Sequence, residues 1–169
     1  MAKHTLSVLV ENHPGVLSRV AGLFSRRGFN IDSLAVGVTE DPEVSRMTIV
    51  VDGDEYVVEQ VSKQLNKLVD VIKIKKLDDN DSVSRELALI KVTANATTRG
   101  EILQIAEVFR ANIIDISKNT LTIEITGSLD KVAALEDMLK PFGIKEIART
   151  GMIALERGNK HLAAEDNGK

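Results

Sequence analysis

A chain of 169 residues, 43% hydrophobic and 28% charged, has the composition of a globular protein long enough to bury a core. A net charge of −3 without any long basic run excludes a general nucleic-acid binder, and the lack of cysteine excludes disulfides, thiolate catalysis and cysteine-held metals. No apolar run approaches a membrane span, and no apolar leader precedes the first strand pattern, so a cytoplasmic protein is the expectation.

Residues 5–11 alternate and are β-branched, as a strand does. From Pro14 to Arg27, Val16, Leu17, Val20, Ala21, Leu23 and Phe24 fall on one helical face. Pro14 suits the first helical position because its missing N–H would be unpaired there anyway. Gly28 suits a left-handed helix stop. Residues 30–39 and 45–51 read as strands joined by the polar turn 40–43. Asp52-Gly53-Asp54 then opens a second helix with the stripe Val57, Val58, Val61, Leu65 and Leu68, and residues 70–77 form a fourth strand. The order β-α-β-β-α-β is the ferredoxin-like unit.

The acidic stretch 78–82 reads as a linker, after which the pattern starts again. Residues 86–93 form a strand, Ile102, Ile105, Ala106 and Phe109 mark a helix, and 113–117 with 121–126 make a hairpin. A helix over 129–139 turns Val132, Leu135 and Leu139 inward, and 144–155 is a last extended segment interrupted at Gly151. Arg27-Gly28-Phe29-Asn30-Ile31-Asp32 lines up with Arg110-Ala111-Asn112-Ile113-Ile114-Asp115, so one unit is repeated. The expected fold is α+β: two tandem ferredoxin-like βαββαβ domains at 1–78 and 84–158, a linker at 79–83 and a disordered tail at 159–169.

A four-stranded sheet with both helices on one face leaves its other face bare. Here the strands are apolar at both parities, as in Val8-Leu9-Val10 and Ile49-Val50-Val51, so the other half or another chain has to cover them. A homodimer is predicted, joined by sheet edges or by helices. A metal chaperone of this shape needs cysteines, an RNA-binding module needs stacking aromatics on its central strands, and an acylphosphatase needs a phosphate-cradling loop; none is present. Glu11 and Asp32 have no nucleophile or metal set near them in sequence, and His13 reads as a helix-start residue, so no catalytic or metal site is expected.

Glu11-Asn12-His13-Pro14-Gly15-Val16 remains. A helix N-terminus offers N–H groups to a carboxylate, the amides of Asn12 and Asn30 can orient a polar ligand, and Ile31, Leu34 and Val36 can wall off an aliphatic side chain. The same residues are equally read as structure: Asn12 capping the helix, Asn30 leaving it and Gly15 there for packing. The second half has Thr97-Thr98-Arg99-Gly100 instead, so any ligand site belongs to the first.

Residues 6–20, Leu6-Ser7-Val8-Leu9-Val10-Glu11-Asn12-His13-Pro14-Gly15-Val16-Leu17-Ser18-Arg19-Val20, resemble the opening of an ACT domain. With Gly28-Phe29-Asn30-Ile31-Asp32-Ser33-Leu34, Ser45-Arg46-Met47-Thr48-Ile49 and the closing Ala148-Arg149-Thr150-Gly151, the likeness narrows to the small regulatory subunits of acetolactate synthase. It runs from about Lys3 to Gly158. The resemblance implies no catalytic residue and no cofactor in this chain. It implies a large catalytic partner that uses thiamine diphosphate, Mg²⁺ and FAD in branched-chain amino-acid synthesis, which the small subunit activates and makes sensitive to feedback by valine. Leucine and isoleucine are the other effectors to consider. Carried over, the effector site comprises Asn12, Gly15, Asn30 and Ile31, with His13, Pro14 and Val16 from the loop, shared between ACT domains of two protomers. The other reading is a stand-alone tandem ACT amino-acid sensor acting on transcription; nothing in the sequence calls for nucleic acid or membrane.

Overall fold

The computed structural model describes residues 2–165. The first unit runs β1 (Lys3–Glu11), α1 (Val16–Arg27), β2 (Ile31–Val38), β3 (Val44–Asp52), α2 (Glu55–Asn66) and β4 (Val71–Leu77). Its sheet has the order β2-β3-β1-β4, all neighbours antiparallel, which leaves β2 and β4 as edges. Leu6, Val8 and Val10 of β1 and Met47, Ile49 and Val51 of β3 meet Val20, Leu23 and Phe24 of α1 and Val58, Val61 and Leu65 of α2 in one core. Asp54 caps α2, its Oδ1 accepting the Val57 N–H at 2.9 Å. Gly28 ends α1 in the left-handed conformation at φ 68°.

The second unit repeats the plan with β5 (Ser82–Thr93), α3 (Arg99–Val108), β6 (Asn112–Ile116), β7 (Thr120–Gly127), α4 (Leu129–Leu139) and β8 (Ile144–Arg149), in the strand order β6-β7-β5-β8. Ala88, Ile90 and Val92 pack with Ile102, Ala106, Leu121, Ile123, Val132, Leu135 and Leu139. Two tandem βαββαβ ferredoxin-like units are therefore present, as the repeat predicts. No helix among the described residues is long and apolar enough to cross a membrane.

Three boundaries differ from the sequence reading. The acidic stretch expected to be a linker at 79–83 is folded: Asp78 Oδ1 accepts the Asn80 N–H at 2.9 Å, Asp79–Asp81 form a single 3-10 turn, and β5 begins at Ser82. The second compact unit closes at Gly151 rather than at 158, because the chain then returns to the first unit in β9 (Ile153–Glu156). The expected disordered tail is engaged at its start, where Lys160 pairs with Asp81; residues 166–169 lie outside the described residues.

The returning segment explains part of the double-sided burial. Met152 N–H donates to Ser33 Oγ on β2 at 3.0 Å, and Glu156 lies 3.6 Å from Lys75 on β4. Both residues lie on the sheet face away from the helices: Ser33 pairs with Val50, and Lys75 pairs with Ser7, itself opposite Thr48. Residues 152–156 thus cross that face from one edge strand to the other. Met152 and Ala154, each 5% exposed, turn toward it, while Ile153 (59%) and Leu155 (56%) turn away, the alternation of an extended segment. Beneath, Ser7, Leu9, Thr48 and Val50 are buried.

Candidate functional site

The loop between β1 and α1 is built differently from either sequence reading. Pro14 is not the first helical residue. It precedes Gly15, which caps α1 at φ 87° and whose carbonyl accepts the Arg19 N–H at 3.0 Å. Asn12 does not cap the helix either. Its backbone N–H donates to the Glu43 carbonyl and its Nδ2 to the Pro42 carbonyl, both at 2.8 Å, pinning the β2–β3 turn and leaving Oδ1 as an acceptor. Among the described residues no side-chain oxygen caps the first-turn N–H groups of α1, so this helix start is open to an anion. Gly15 is favoured by its left-handed φ, and a Cβ there would come within 2.9 Å of the Arg19 guanidinium lying over the loop, so that the tip of that side chain would have to shift.

Arg19 belongs to an ionic cluster that anchors this corner. Its Nε donates to Asp70 Oδ2 at 2.5 Å, and the Glu11 N–H donates to the Asp70 carbonyl at 2.9 Å. His13 Nε2 donates to Glu11 Oε2 at 2.8 Å and lies 3.3 Å from Asp70 Oδ1. The hydrogen bond and charge of Arg19, followed by the charge of His13, hold the Asp70 carboxyl below its ordinary range against the opposing effect of burial. The hydrogen bond to Glu11, then the Pro14 carbonyl and the Asp70 charge, raise His13 above its ordinary value. The ligand atoms of Glu11, His13 and Asp70 lie within 4.8 Å of one another, a spacing that could hold a cation. Arg19 and a protonated His13 already neutralise those carboxylates, and a metal would have to displace both. Asp32, considered with Glu11 as an acid–base pair, instead pairs with Lys3 at 2.9 Å.

One chain does not bring all the expected site residues together. Asn12 follows Glu11, which pairs with Val44, whereas Ile31 pairs with Val51. Val44 and Val51 are seven residue steps apart along β3, about 24 Å at the usual rise per residue. Asn12, His13, Pro14, Gly15 and Val16 therefore share one end of the sheet, and Asn30 and Ile31 lie at the other. Val16 is buried in the core, Ile31 is half-buried against it, and Asn30 is exposed, its side chain making no hydrogen bond among the described residues. Of the expected aliphatic wall, Leu34 packs on the core while Val36 and Val38 are 47% and 61% exposed on edge strand β2.

Comparison with known proteins follows both halves of this architecture. Residues 6–73 match the family model described as the AHAS small subunit-like ACT domain, and residues 85–158 match that of the small subunit of acetolactate synthase. A probable acetolactate synthase small subunit of Archaeoglobus fulgidus is 59% identical over 158 residues, covering 94% of this chain and 99% of that protein. The chain belongs to the acetolactate synthase small-subunit family. A Mycobacterium bovis acetolactate synthase small subunit is 61% identical over 159 residues, covering 94% of this chain and 95% of its own length. The crystal structure of the acetolactate synthase small subunit from Thermotoga maritima superposes with a TM-score of 0.88 at 46% identity, over 95% of this chain and all of that one.

Within this small-subunit architecture, sequence reasoning missed Arg19 and Asp70. Arg19 was legible in principle, since it stands four residues after Gly15 and a helix turn returns it over its own start. Asp70 comes from the turn before β4, far along the chain, and no local pattern points to it.

Proposed function

We propose that the chain is the regulatory subunit of an acetolactate synthase: it binds a large catalytic subunit carrying thiamine diphosphate, Mg²⁺ and FAD, activates it, and makes it sensitive to valine. The observation that carries the effector-site part is the separation of Asn12 from Asn30 within one chain, combined with the exposed, apolar edge of β2. Antiparallel pairing of two β2 edges over their full length sets residue 31 of one chain opposite residue 38 of the other. That brings the partner's Asn30 to the turn that Asn12 pins, so a twofold homodimer completes two sites. Valine's carboxylate then meets the open N–H groups at Gly15 and Val16, with the Arg19 charge beside them. Its ammonium meets Asn12 Oδ1 and the partner's Asn30, and its side chain lies against the partner's Ile31.

Filling a site made by two chains favours one arrangement of the dimer, and the catalytic subunit senses the difference. Such coupling is typically about 1–3 kcal/mol. The test is a calorimetric titration of the isolated subunit with valine, leucine and isoleucine, alongside gel filtration and reconstitution with the catalytic subunit. Valine is expected to bind a dimer and to inhibit the reconstituted enzyme. A monomer at micromolar concentration, or no heat with any branched-chain amino acid, overturns the site.

A further inference from the structure

We propose that residues 152–156 are a strap whose grip on β2 reports whether the effector site is filled. This rests on the regulatory reading above. At its near end the strap is held by one side-chain contact, the Ser33 hydroxyl accepting the Met152 N–H at 3.0 Å. Immediately before it stands Gly151 at φ 79°, a conformation open to glycine, so the chain turns there. The far end is held more firmly: Glu156 pairs with Lys75, the Arg157 N–H donates to the Asp81 carbonyl at 2.9 Å, and Lys160 pairs with Asp81. Between the ends β9 pairs with β5, and Met152 and Ala154 seat against the sheet. Met152 precedes β9, so its hold on β2 is the Ser33 contact.

Ser33 is separated from the candidate site by one residue, and that residue is irregular. Ile31 pairs with Val51 while Ser33 pairs with Val50, so Asp32 is an extra residue in β2 with no partner across the ladder. A bulge of this kind bends its strand and sets the aim of the side chains beside it. The Asp32 carboxylate is tied to Lys3 and Ile31 is paired with Val51 and packed on the core, which leaves the exposed Asn30 as the loose side of the bulge. A ligand that fixes Asn30 and Ile31 fixes the bulge, and with it the position of the Ser33 hydroxyl. Without ligand the bulge can shift, and the strap's near end loses its acceptor. The ligand discriminates between strap-held and strap-released states, as any effector of a conformational change must.

Hydrogen exchange read at the Met152 amide tests this in the full chain, with valine at a concentration that calorimetry shows to be saturating. Valine is expected to slow exchange there. Ser33→Ala is expected to remove the difference, and Ser33→Thr, which keeps the hydroxyl, to preserve it. In the reconstituted enzyme Ser33→Ala is expected to keep basal activation and valine binding within about twofold while raising the half-inhibiting valine concentration at least about fivefold. Exchange at Met152 that ignores bound valine overturns the strap, and needs no variant. So does a folded Ser33→Ala subunit that is inhibited like the wild type. Absence of valine binding to the wild type overturns the regulatory reading and takes the strap with it, an outcome distinct from bound valine that leaves Met152 unmoved.

Discussion

The two units share strand order and helix placement but treat the same corner in opposite ways. At the start of α1 the cap is a glycine with no side-chain oxygen over the first turn, and the flanking charges of Glu11, His13, Arg19 and Asp70 hold the loop from outside. At the start of α3 the loop is closed on itself. Asn95 Oδ1 accepts from the N–H groups of Thr97 and Thr98, the Asn95 N–H donates to Thr98 Oγ1, and Arg99 reaches away to the carbonyls of Ser117 and Lys118. Repetition of a fold therefore does not repeat its site. An open helix start has to be braced by charges brought from elsewhere, whereas a closed one is satisfied by its own four residues.

The sharpest way to break this contrast is to place a carboxylate at each corner. Gly15→Asp puts it at a left-handed position, against Arg19 and where an effector carboxylate would lie. Valine inhibition of the reconstituted enzyme is expected to weaken by at least about tenfold, within the usual range of allosteric coupling. Thr98→Asp at the closed corner is expected to leave inhibition unchanged. Equal effects from the two substitutions would end the distinction.

A change of pH separates the corners next. Asp70 is depressed, so its contribution to stability is present above the ordinary carboxylate value near 3.8 and is lost as pH falls through its lowered one. His13 is raised, so its contribution is complete below 6.5 and is lost as pH rises through its elevated value. The open corner is thus fully braced between these limits, while Asn95 and Thr98 do not titrate. NMR titration of the His13 ring is expected to give a midpoint above 6.5 that returns toward 6.5 in Glu11→Gln. A midpoint unmoved by that substitution would remove Glu11 from the brace.

The smallest effect concerns how the two helices end. Both close with the same pair of bonds: Gly28 N–H to the Ser25 carbonyl and Phe29 N–H to the Phe24 carbonyl, then Arg110 N–H to the Glu107 carbonyl and Ala111 N–H to the Ala106 carbonyl. The left-handed position is a glycine at φ 68° in one and an arginine at φ 54° in the other. Arg110→Gly is expected to stabilise the protein by about 0.5–1 kcal/mol and Gly28→Ala to destabilise it by about 1 kcal/mol in urea unfolding. Opposite signs would mean that the side chain of Arg110 outweighs its backbone strain.

What was legible in the sequence is what neighbouring residues decide. The alternation of β1 and β3, the stripes of α1 and α2, the Asp54 cap and the Gly28 stop are local, and each stands where the pattern predicts it. The repeat carried the second unit with equal clarity. Illegible were the features set by distant partners. Asn12 looks like a cap until the turn at Pro42 and Glu43 takes its donors. Residues 144–155 read as one extended segment interrupted at Gly151, but nothing local says that the part beyond Gly151 returns to the first unit. The acidic stretch after β4 looks like a solvated linker because two of its partners, Arg157 and Lys160, which hold Asp81, lie at the far end of the chain.

That return of the chain has a consequence for biogenesis. The first unit is assembled from both ends of the sequence, with the second inserted between them. A ribosome exposes β1 to β4 early, but the face bearing Ser7, Leu9, Thr48 and Val50 waits for residues 152–156 until the entire second unit has emerged. The first unit is thus the first to begin folding and the last to be finished, and a chain cut short after the second unit leaves Leu9 and Val50 on that sheet face without Met152 and Ala154 over them.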